Sequence, residues 1–179
     1  MPATTRFSLL AVLPLGLLGC TTTSEVTVGT EDPCATLQGL IADYPNGFAN
    51  HRGKGDNFAT GTVYRATTEL ITGHCQIWNW GVGDSAYLCS VTNPDLQIAR
   101  QRHESALNSV KACLGNNWQA QGDWRERGGD TDGYASRFYA TDSDAMVSIE
   151  TTVQLGGPGR HFTNFLYIGS ADRAEPGGR

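Results

Sequence analysis

The clearest pattern of apolar and polar positions in the chain is a helical stripe near its middle. Asn93-Pro94-Asp95 before the stripe and Gly115 after it are typical signals for the start and the end of a helix. The apolar face recurs at spacings of three and four residues, at Leu96, Ala99, His103, Leu107, Val110 and Leu114. We therefore expect a helix that packs this face against the core.

A second amphipathic helix is predicted nearer the N-terminus. Asp32-Pro33 combines an N-cap residue with proline at the first helical position, which favours a helix start. Pro45 disfavours helical backbone in the residue before it, so the helix should end near Tyr44. Its apolar positions again follow at spacings of three and four, at Cys34, Leu37, Ile41, Tyr44 and Phe48.

The remaining segments have the composition and alternation of β-strands. After a polar loop at residues 49–57, residues 58–70 are rich in Thr, Val and Tyr and predict a strand. Residues 73–91 predict a hairpin whose loop is Gly81-Val82-Gly83. Four more strands are expected after the second helix, at residues 118–125, 134–140, 145–155 and 161–169.

The order of these elements predicts an α+β fold, in which an antiparallel sheet carries two helices packed on one face. The two helices begin alike and strands follow each, which hints at a degenerate duplication, although no side-chain periodicity supports a repeat. We expect one domain over residues 32–169, followed by a disordered tail at residues 170–179.

Composition indicates a folded domain with many turns. The chain of 179 residues is 39% hydrophobic and 17% charged, which is compatible with a packed core. Its 22 glycines favour loops and hairpins over a helical bundle. The net charge of −5 argues against binding to nucleic acid or to an anionic membrane by charge alone.

The N-terminus has the pattern of a secretory signal. Arg6 precedes an apolar run of twelve residues, Phe7–Leu18, which is too short to cross a bilayer because spanning needs about 20 residues. Leu17-Leu18-Gly19-Cys20 closes this run and resembles the lipobox of bacterial lipoproteins. In that family the cysteine is acylated and becomes the new N-terminus. The resemblance covers about the first 20 residues of the chain.

The lipobox resemblance implies that residues 1–19 are a signal peptide and that Cys20 carries fatty acyl chains, palmitate among them. It implies an exported lipoprotein of the outer membrane, facing the periplasm or the cell surface. Two acyl chains already anchor a protein stably, so the lipid would provide the membrane contact. Residues 20–31 are polar and would serve as a flexible tether.

Besides Cys20 the chain contains four cysteines, and an even number in an exported domain predicts two disulfides. Three connectivities are possible. We favour Cys75–Cys89, because these residues fall opposite each other in the predicted hairpin. We also favour Cys34–Cys113, because the first turn of one helix and the last turn of the other meet if the helices pack antiparallel. None of the four has the close spacing of structural zinc sites.

We find no complete catalytic or metal-binding signature in the sequence, so no metal or cofactor is predicted. His103 lies on an apolar helix face and is best interpreted as a neutral, half-buried histidine with hydrogen bonds to backbone. Residues 130–133, Asp-Thr-Asp-Gly, fail the spacing of an EF-hand calcium loop and predict a hairpin turn. Asp123, Glu126 and Glu150 offer strand carboxylates, whose separation the sequence does not give.

The tryptophans are the remaining feature, since large aromatic side chains dominate binding hot spots. Core packing is the simpler interpretation for any single one of them. Trp80 has the best claim to exposure, because it lies near the predicted hairpin tip opposite Asp84. Trp78, Trp80 and Asp84 are therefore the candidate binding residues. The four tryptophans are Trp78, Trp80, Trp118 and Trp124.

The leading hypothesis is a lipid-anchored envelope protein with a non-catalytic interaction domain. It would bind a protein or a cell-envelope component, and not nucleic acid, through its sheet or the Trp78–Trp80 hairpin. One alternative is a periplasmic hydrolase that uses His161 or His103 with a strand carboxylate. Another is an inhibitor or immunity protein against a toxin or hydrolase, which suits a small, acidic, disulfide-bonded domain.

Overall fold

The described part of the chain contains eight antiparallel strands, three α-helices and two short 3-10 helices, at Tyr44–Asn46 and Ala49–His51. This computed structural model describes residues 29–72, 74–127, 130–155 and 160–174, without the side chains of residues 125–132, 154–160 and 174. The predicted signal peptide, Cys20 and most of the tether therefore lie outside the described residues. The elements are α1 (Pro33–Asp43), β1 (Arg52–Phe58), β2 (Gly61–Ala66), β3 (Cys75–Gly81), β4 (Asp84–Asn93), α2 (Leu96–Leu114), β5 (Trp118–Arg127), β6 (Asp130–Ala140), β7 (Met146–Leu155), β8 (Arg160–Gly169) and α3 (Ala171–Ala174).

The strands form one sheet in the order β1-β2-β3-β4-β8-β7-β6-β5. Each half of the described chain is thus a helix followed by a four-stranded meander. The two halves join where β4 and β8 pair antiparallel, from Tyr87 opposite Ile168 to Asn93 opposite Phe162. The α+β fold thus consists of two halves with the same order of elements, an arrangement that the similar starts of the two predicted helices indicated only weakly.

Both long helices begin at the predicted caps. The Asp32 carboxylate accepts a hydrogen bond from the Ala35 amide at 2.9 Å, and the Asp95 carboxylate accepts one from the Ile98 amide at 2.8 Å. These bonds satisfy amides that have no partner within the helix. Gly115 follows α2 with a φ of +78°, which favours glycine, but its ψ of −174° lies outside the left-handed helical region expected there.

The prediction of an antiparallel sheet with helices is confirmed, but the chain is mostly strand and has a third helix beyond the two expected. α1 and α2 pack against each other, and the main core lies between them and the strands. On α2 the predicted stripe is buried at Ala99, His103, Val110 and Leu114, whereas Leu96 is 37% exposed. Burial of this stripe and of the facing strand residues is the main stabilising contribution, at about 25 cal/mol per Å² of apolar surface.

Both disulfides have the connectivity that the sequence favoured. Cys34 and Cys113 join the first turn of α1 to the last turn of α2 across 79 residues of sequence. Cys75 and Cys89 lie directly opposite each other on β3 and β4. The second pair belongs to the main core, where Cys89 is fully buried.

The first half contains a strand that sequence analysis missed. The segment expected to be a polar loop includes β1, and the strand expected at residues 58–70 instead turns at residues 59–60 into β2. β1 is an edge strand with few apolar residues, so its sequence lacks the usual strand composition. Its Gly55 lies opposite Tyr64, and the guanidinium of Arg52 lies 4.7 Å from the centroid of the same ring.

Two turns lie elsewhere than predicted. Gly81 belongs to β3 and pairs with Asp84 beside a bulge, so the turn consists of Val82 and Gly83 alone. Residues 130–133, expected to be a turn, are the start of β6. Gly133 there has a φ of +153°, and a Cβ would lie 1.9 Å from the Thr151 carbonyl oxygen. The backbone of β7 therefore approaches too closely for any side chain.

The expected tail at residues 170–179 is wrong in its first part, because Ala171–Ala174 form α3, a single helical turn. This turn is held by a polar contact of Arg173 that the sequence alone does not reveal. Residues 175–179 lie outside the described residues. Among the helices described, none combines the length and the apolar character needed to cross a bilayer.

Candidate functional site: the open face of the sheet

The face of the sheet opposite α1 and α2, here called the open face, carries a second and smaller apolar cluster. Side chains alternate along a strand, so Ala86 and Leu88 point to the open face while Tyr87 and Cys89 point into the main core. Around Ala86, Met146 and Tyr167 the cluster gathers several half-buried side chains, namely Trp80, Leu88, Tyr139 and Ala171. Both faces of the β3–β4 hairpin are therefore partly covered.

Trp78 and Trp80 form an aromatic pair on the open face, with ring centroids 5.9 Å apart. Both are half-buried. A pocket of about 150 Å³ lies beside them, and its rim includes Phe58, which is 61% exposed. The indole N–H of Trp78 is buried and has no hydrogen-bond partner among the described residues. A buried donor without an acceptor costs about 1–3 kcal/mol, so an acceptor that reached this atom after a small shift of the side chains would be stabilised.

Arg173 of α3 covers the tip of this surface. Its Nε donates to Asp84 Oδ1 at 2.7 Å, and its Nη2 contacts Asp84 Oδ2. The same guanidinium lies 4.0 Å from the centroid of the Trp80 ring. The predicted binding residues Trp80 and Asp84 thus come together, but α3 already engages both of them. Both charged groups are more than a third exposed, so the ion pair is worth at most about 1 kcal/mol.

The centre of the open face is polar and yet buried. Arg137 and Ser148 lie opposite each other on β6 and β7. Arg137 and Glu150 are each only 6% exposed. Ser148 donates to Glu150 Oε1 at 2.9 Å, whereas Arg137 Nε has no partner among the described residues. Burying a polar group is costly unless it is hydrogen-bonded, so Arg137 Nε is, with the indole N–H of Trp78, a second buried donor that lacks an acceptor among the described residues.

His103 lies on the other face of the sheet, away from these carboxylates. It is 6% exposed, and its ring nitrogens lie 2.9 Å from Thr151 Oγ1 and 3.2 Å from Ser136 Oγ. Burial lowers the pKa of His103, although the nearby Glu104 acts in the opposite direction. The expected neutral histidine agrees with this geometry, except that hydroxyl groups and not backbone atoms are its partners.

The residues needed for the hydrolase alternative are not brought together. Glu150 points to the open face, His103 to the helix side, and His161 is exposed near one end of β8. The side chain of Glu126 lies outside the described residues. Within the described part of the chain there is also no group of three or more His, Cys, Asp or Glu side chains that could hold a metal ion.

The expectation that Trp80 is the most exposed tryptophan is wrong. Trp124 is 64% exposed, on the edge strand β5, where its ring lies 5.7 Å from that of Tyr134. Trp118 lies partly buried against the main core. Sequence reasoning also missed Tyr139 and Tyr167, because strand pairing far along the chain brings them into one cluster with Trp80, and it missed Arg137, which β6 places on the same face of the sheet. We found no match to the chain among known protein families, curated protein sequences or solved structures.

Proposed function

We propose that the chain is a lipid-anchored envelope protein whose open face binds a protein or another envelope component without catalysing a reaction. The observation that carries the proposal is the surface around Trp78 and Trp80. It combines half-buried aromatic rings with a buried indole N–H for which the described part of the chain offers no acceptor. Aromatic side chains of this kind supply most of the binding energy at protein interfaces.

The location in the envelope is part of this proposal and rests on the lipobox resemblance at Leu17–Cys20. The two disulfides support it, because disulfides persist in oxidising compartments outside the cytoplasm. If residues 1–19 are removed with Arg6, the net charge becomes −6. Such a surface is not attracted to anionic lipid headgroups, so the acyl chains and not charge would hold the protein at the membrane.

Binding is a better account of the open face than catalysis. A general acid–base mechanism needs titratable groups within hydrogen-bond reach of one another and of the substrate. The buried histidine instead contacts two hydroxyl groups on the opposite side of the sheet. The open face offers aromatic surface and unused donors, which are the means of recognition.

The proposal is tested by site-specific photocrosslinking in intact envelopes. A photoreactive amino acid at Gln76 or Ser90 would probe the open face, and one at Gln101, exposed on α2, would probe the helix side. We expect a discrete crosslinked product from the open-face positions only. Products of equal yield from Gln101, or none from the open face, would contradict the assignment.

The same partner is then used to measure affinity. Trp78→Ala should weaken binding by at least about 30-fold, the loss typical of a hot-spot residue. Trp124→Ala is the matched control, because it removes an exposed tryptophan from the helix side of the sheet. Identical losses from the two variants would indicate a general effect on the fold and not a binding face.

The anchor is tested separately by the intact mass of protein extracted from membranes. We expect loss of residues 1–19 and a mass increase equal to the acyl chains on Cys20. Cys20→Ala should release the protein from the membrane. A protein recovered whole from Met1 in the cytoplasm would overturn the location, whatever the crosslinking shows.

A further inference from the structure

The guanidinium of Arg137 is a buried positive charge to which the described part of the chain supplies no counter-ion. The residue lies on β6, and only 6% of it is exposed. Its Nε is enclosed and has no hydrogen-bond partner among the described residues. Within the same part of the chain, Nη1 and Nη2 also make no hydrogen bond or ion pair. Burying a charge is costly unless it is paired and hydrogen-bonded, so an anion that reached this group would be stabilised.

Two carboxylates lie on the same face of the sheet, on the neighbouring strands, and neither pairs with Arg137. Glu150 Oε1 on β7 accepts a hydrogen bond from Ser148 at 2.9 Å. Asp123 Oδ1 on β5 accepts one from the backbone amide of Trp124 at 2.7 Å. Their negative charges reduce the positive potential at the guanidinium. The site therefore suits a single carboxylate better than a group with several negative charges.

The shape of the guanidinium also favours a carboxylate. Its N–H donors form a planar fork that matches the two oxygens of a carboxylate in a bidentate pair. Because Nε is enclosed, Nη1 and Nη2 are the atoms through which an occupant reaches Arg137. A neutral carbonyl group would accept a hydrogen bond there but would leave the buried charge without a counter-ion.

Aromatic side chains accompany this charge on the open face. Tyr139 is two residues further along β6 and therefore points to the same side as Arg137. Tyr167 on β8 lies opposite Ser148, which lies opposite Arg137. Both tyrosines belong to the apolar cluster that includes Trp80. Arginine, tyrosine and tryptophan are the residues most enriched among binding hot spots.

Arg137 and the tryptophan pair lie close enough together for one partner to cover both. A row of directly paired residues leads from Arg137 to Gln76, which is two residues from Trp78 on β3. The row crosses four strand spacings of about 4.8 Å each, or about 19 Å. A standard interface covers about 800 Å² of each partner, a patch about 30 Å across. The row consists of Arg137, Ser148, Tyr167, Leu88 and Gln76.

We propose that Arg137 binds the carboxylate of an aspartate or glutamate side chain that the partner protein presents to the open face. This inference rests on the proposed function and names the chemistry by which that partner is recognised. A bidentate pair fixes both the position and the direction of the bound group. Arg137 therefore sets the orientation of the partner, while the aromatic cluster provides apolar contact area.

The first test needs no partner and uses benzoate and benzamide as probes, which share one shape but differ in charge. The purified full chain is labelled with nitrogen-15 arginine, and the Nε–H resonance of Arg137 is identified by its absence in Arg137→Lys. We expect benzoate to shift this resonance saturably and to bind at least about tenfold more tightly than benzamide. Equal affinities, or a shift that sodium chloride at the same ionic strength reproduces, would overturn the proposal.

A second measurement follows the signals of benzoate itself, so that variants of Arg137 can be compared. Arg137→Gln should weaken benzoate binding at least about tenfold, with both disulfides and the circular dichroism retained as evidence of folding. Arg65→Gln is the matched control, because Arg65 is exposed on β2 on the same face of the sheet. Equal benzoate affinity in wild type and Arg137→Gln would overturn the proposal. The wild-type titration remains decisive if Arg137→Gln does not fold.

The last test uses the partner captured by crosslinking. A photoreactive amino acid at Gln121, exposed on β5 directly opposite Arg137, should label the partner that Gln76 labels, in a peptide that contains an acidic residue. Arg137→Glu should abolish binding, and changing that acidic residue to arginine should restore it by at least about tenfold. No recovery with any acidic residue of the peptide would overturn the proposal.

Failure of this inference and failure of the proposed function give different results. If Gln76 crosslinks a partner but benzoate does not bind at Arg137, the carboxylate site is refuted and the binding face is not. If benzoate binds at Arg137 but no open-face position crosslinks a partner, the proposed function fails, and the assignment of the carboxylate to a partner protein fails with it.

Discussion

The Cys34–Cys113 disulfide should stabilise the fold more than Cys75–Cys89 does. The first closes a loop of 79 residues of sequence separation and the second a loop of 14. In the loop-entropy account of cross-links, these lengths correspond to about 4.5 and about 3 kcal/mol of stabilisation, since a longer closed loop removes more freedom from the unfolded chain. The expected difference is about 1.5 kcal/mol.

Replacing each pair by alanine would not measure this difference cleanly. Cys75 and Cys89 are 2% and 0% exposed, whereas Cys34 and Cys113 are half-buried. Deleting two buried sulfur atoms costs packing of the order of about 0.8 kcal/mol each, taking the value for a buried methylene. Only replacement of the buried Cys75–Cys89 pair carries this packing loss, which would offset the difference in loop entropy between the two disulfides. A sharper design keeps all sulfur atoms of the tested pair in place.

The assay therefore uses two variants, each with one cysteine pair replaced by alanine. Urea unfolding is followed by tryptophan fluorescence, with and without reductant, in a stabilising osmolyte that preserves the folded baseline. The loss on reduction then reports the remaining cross-link alone. Reduction should also increase the dependence on urea, because the unfolded chain expands. A loss for Cys34–Cys113 equal to or smaller than that for Cys75–Cys89 would refute the reasoning.

Three further predictions concern single residues. Burial lowers the pKa of His103 from its ordinary 6.5. The free energy of unfolding should therefore be highest above pH 6.5 and fall below it, by at most about 1.4 kcal/mol per pH unit. Urea unfolding should show a weaker pH dependence for His103→Gln but not for the control His161→Gln, which changes an exposed histidine. Asp95→Ala should lower the free energy of unfolding by about 1 kcal/mol in the same assay, because it removes the N-cap of α2. A loss below about 0.3 kcal/mol would contradict this role of Asp95. Gly133→Ala should lower the melting temperature, since a Cβ there meets the Thr151 carbonyl oxygen. An unchanged melting temperature would contradict the close approach of β7 at this position.

The parts of the fold that the sequence predicts are those where one local pattern decides the outcome. The α2 stripe has two end signals and a regular period, and the structure places the helix at Leu96–Leu114. The β3–β4 register follows from two cysteines at matching positions around a glycine turn. Both disulfides follow from these elements, because the helix ends and the hairpin fix which sulfur atoms meet.

The parts that the sequence does not predict depend on distant partners. β1 is polar and glycine-rich, and it is a strand only because β2 pairs with it and Tyr64 packs over Gly55. The open face assembles Trp80 and Tyr167 from segments more than 80 residues apart, by way of the β4–β8 pairing. No local pattern encodes that pairing.

The pairing of β4 with β8 also constrains the order in which the parts of the chain can fold as it is synthesised from its N-terminus. One edge of β4 has no partner strand until β8 has been synthesised, because the two strands pair along residues such as Ser90 and Phe165. In the same way, Cys34 cannot form its disulfide until Cys113 has been synthesised. An N-terminal half that folds first would thus expose both an unpaired strand edge and a free thiol. Truncation before Arg160 would remove β8 and leave the facing edges of β4 and β7 without a partner strand. The Cys34–Cys113 bond, which spans the two halves, is therefore expected to form later than Cys75–Cys89, which lies within the first half.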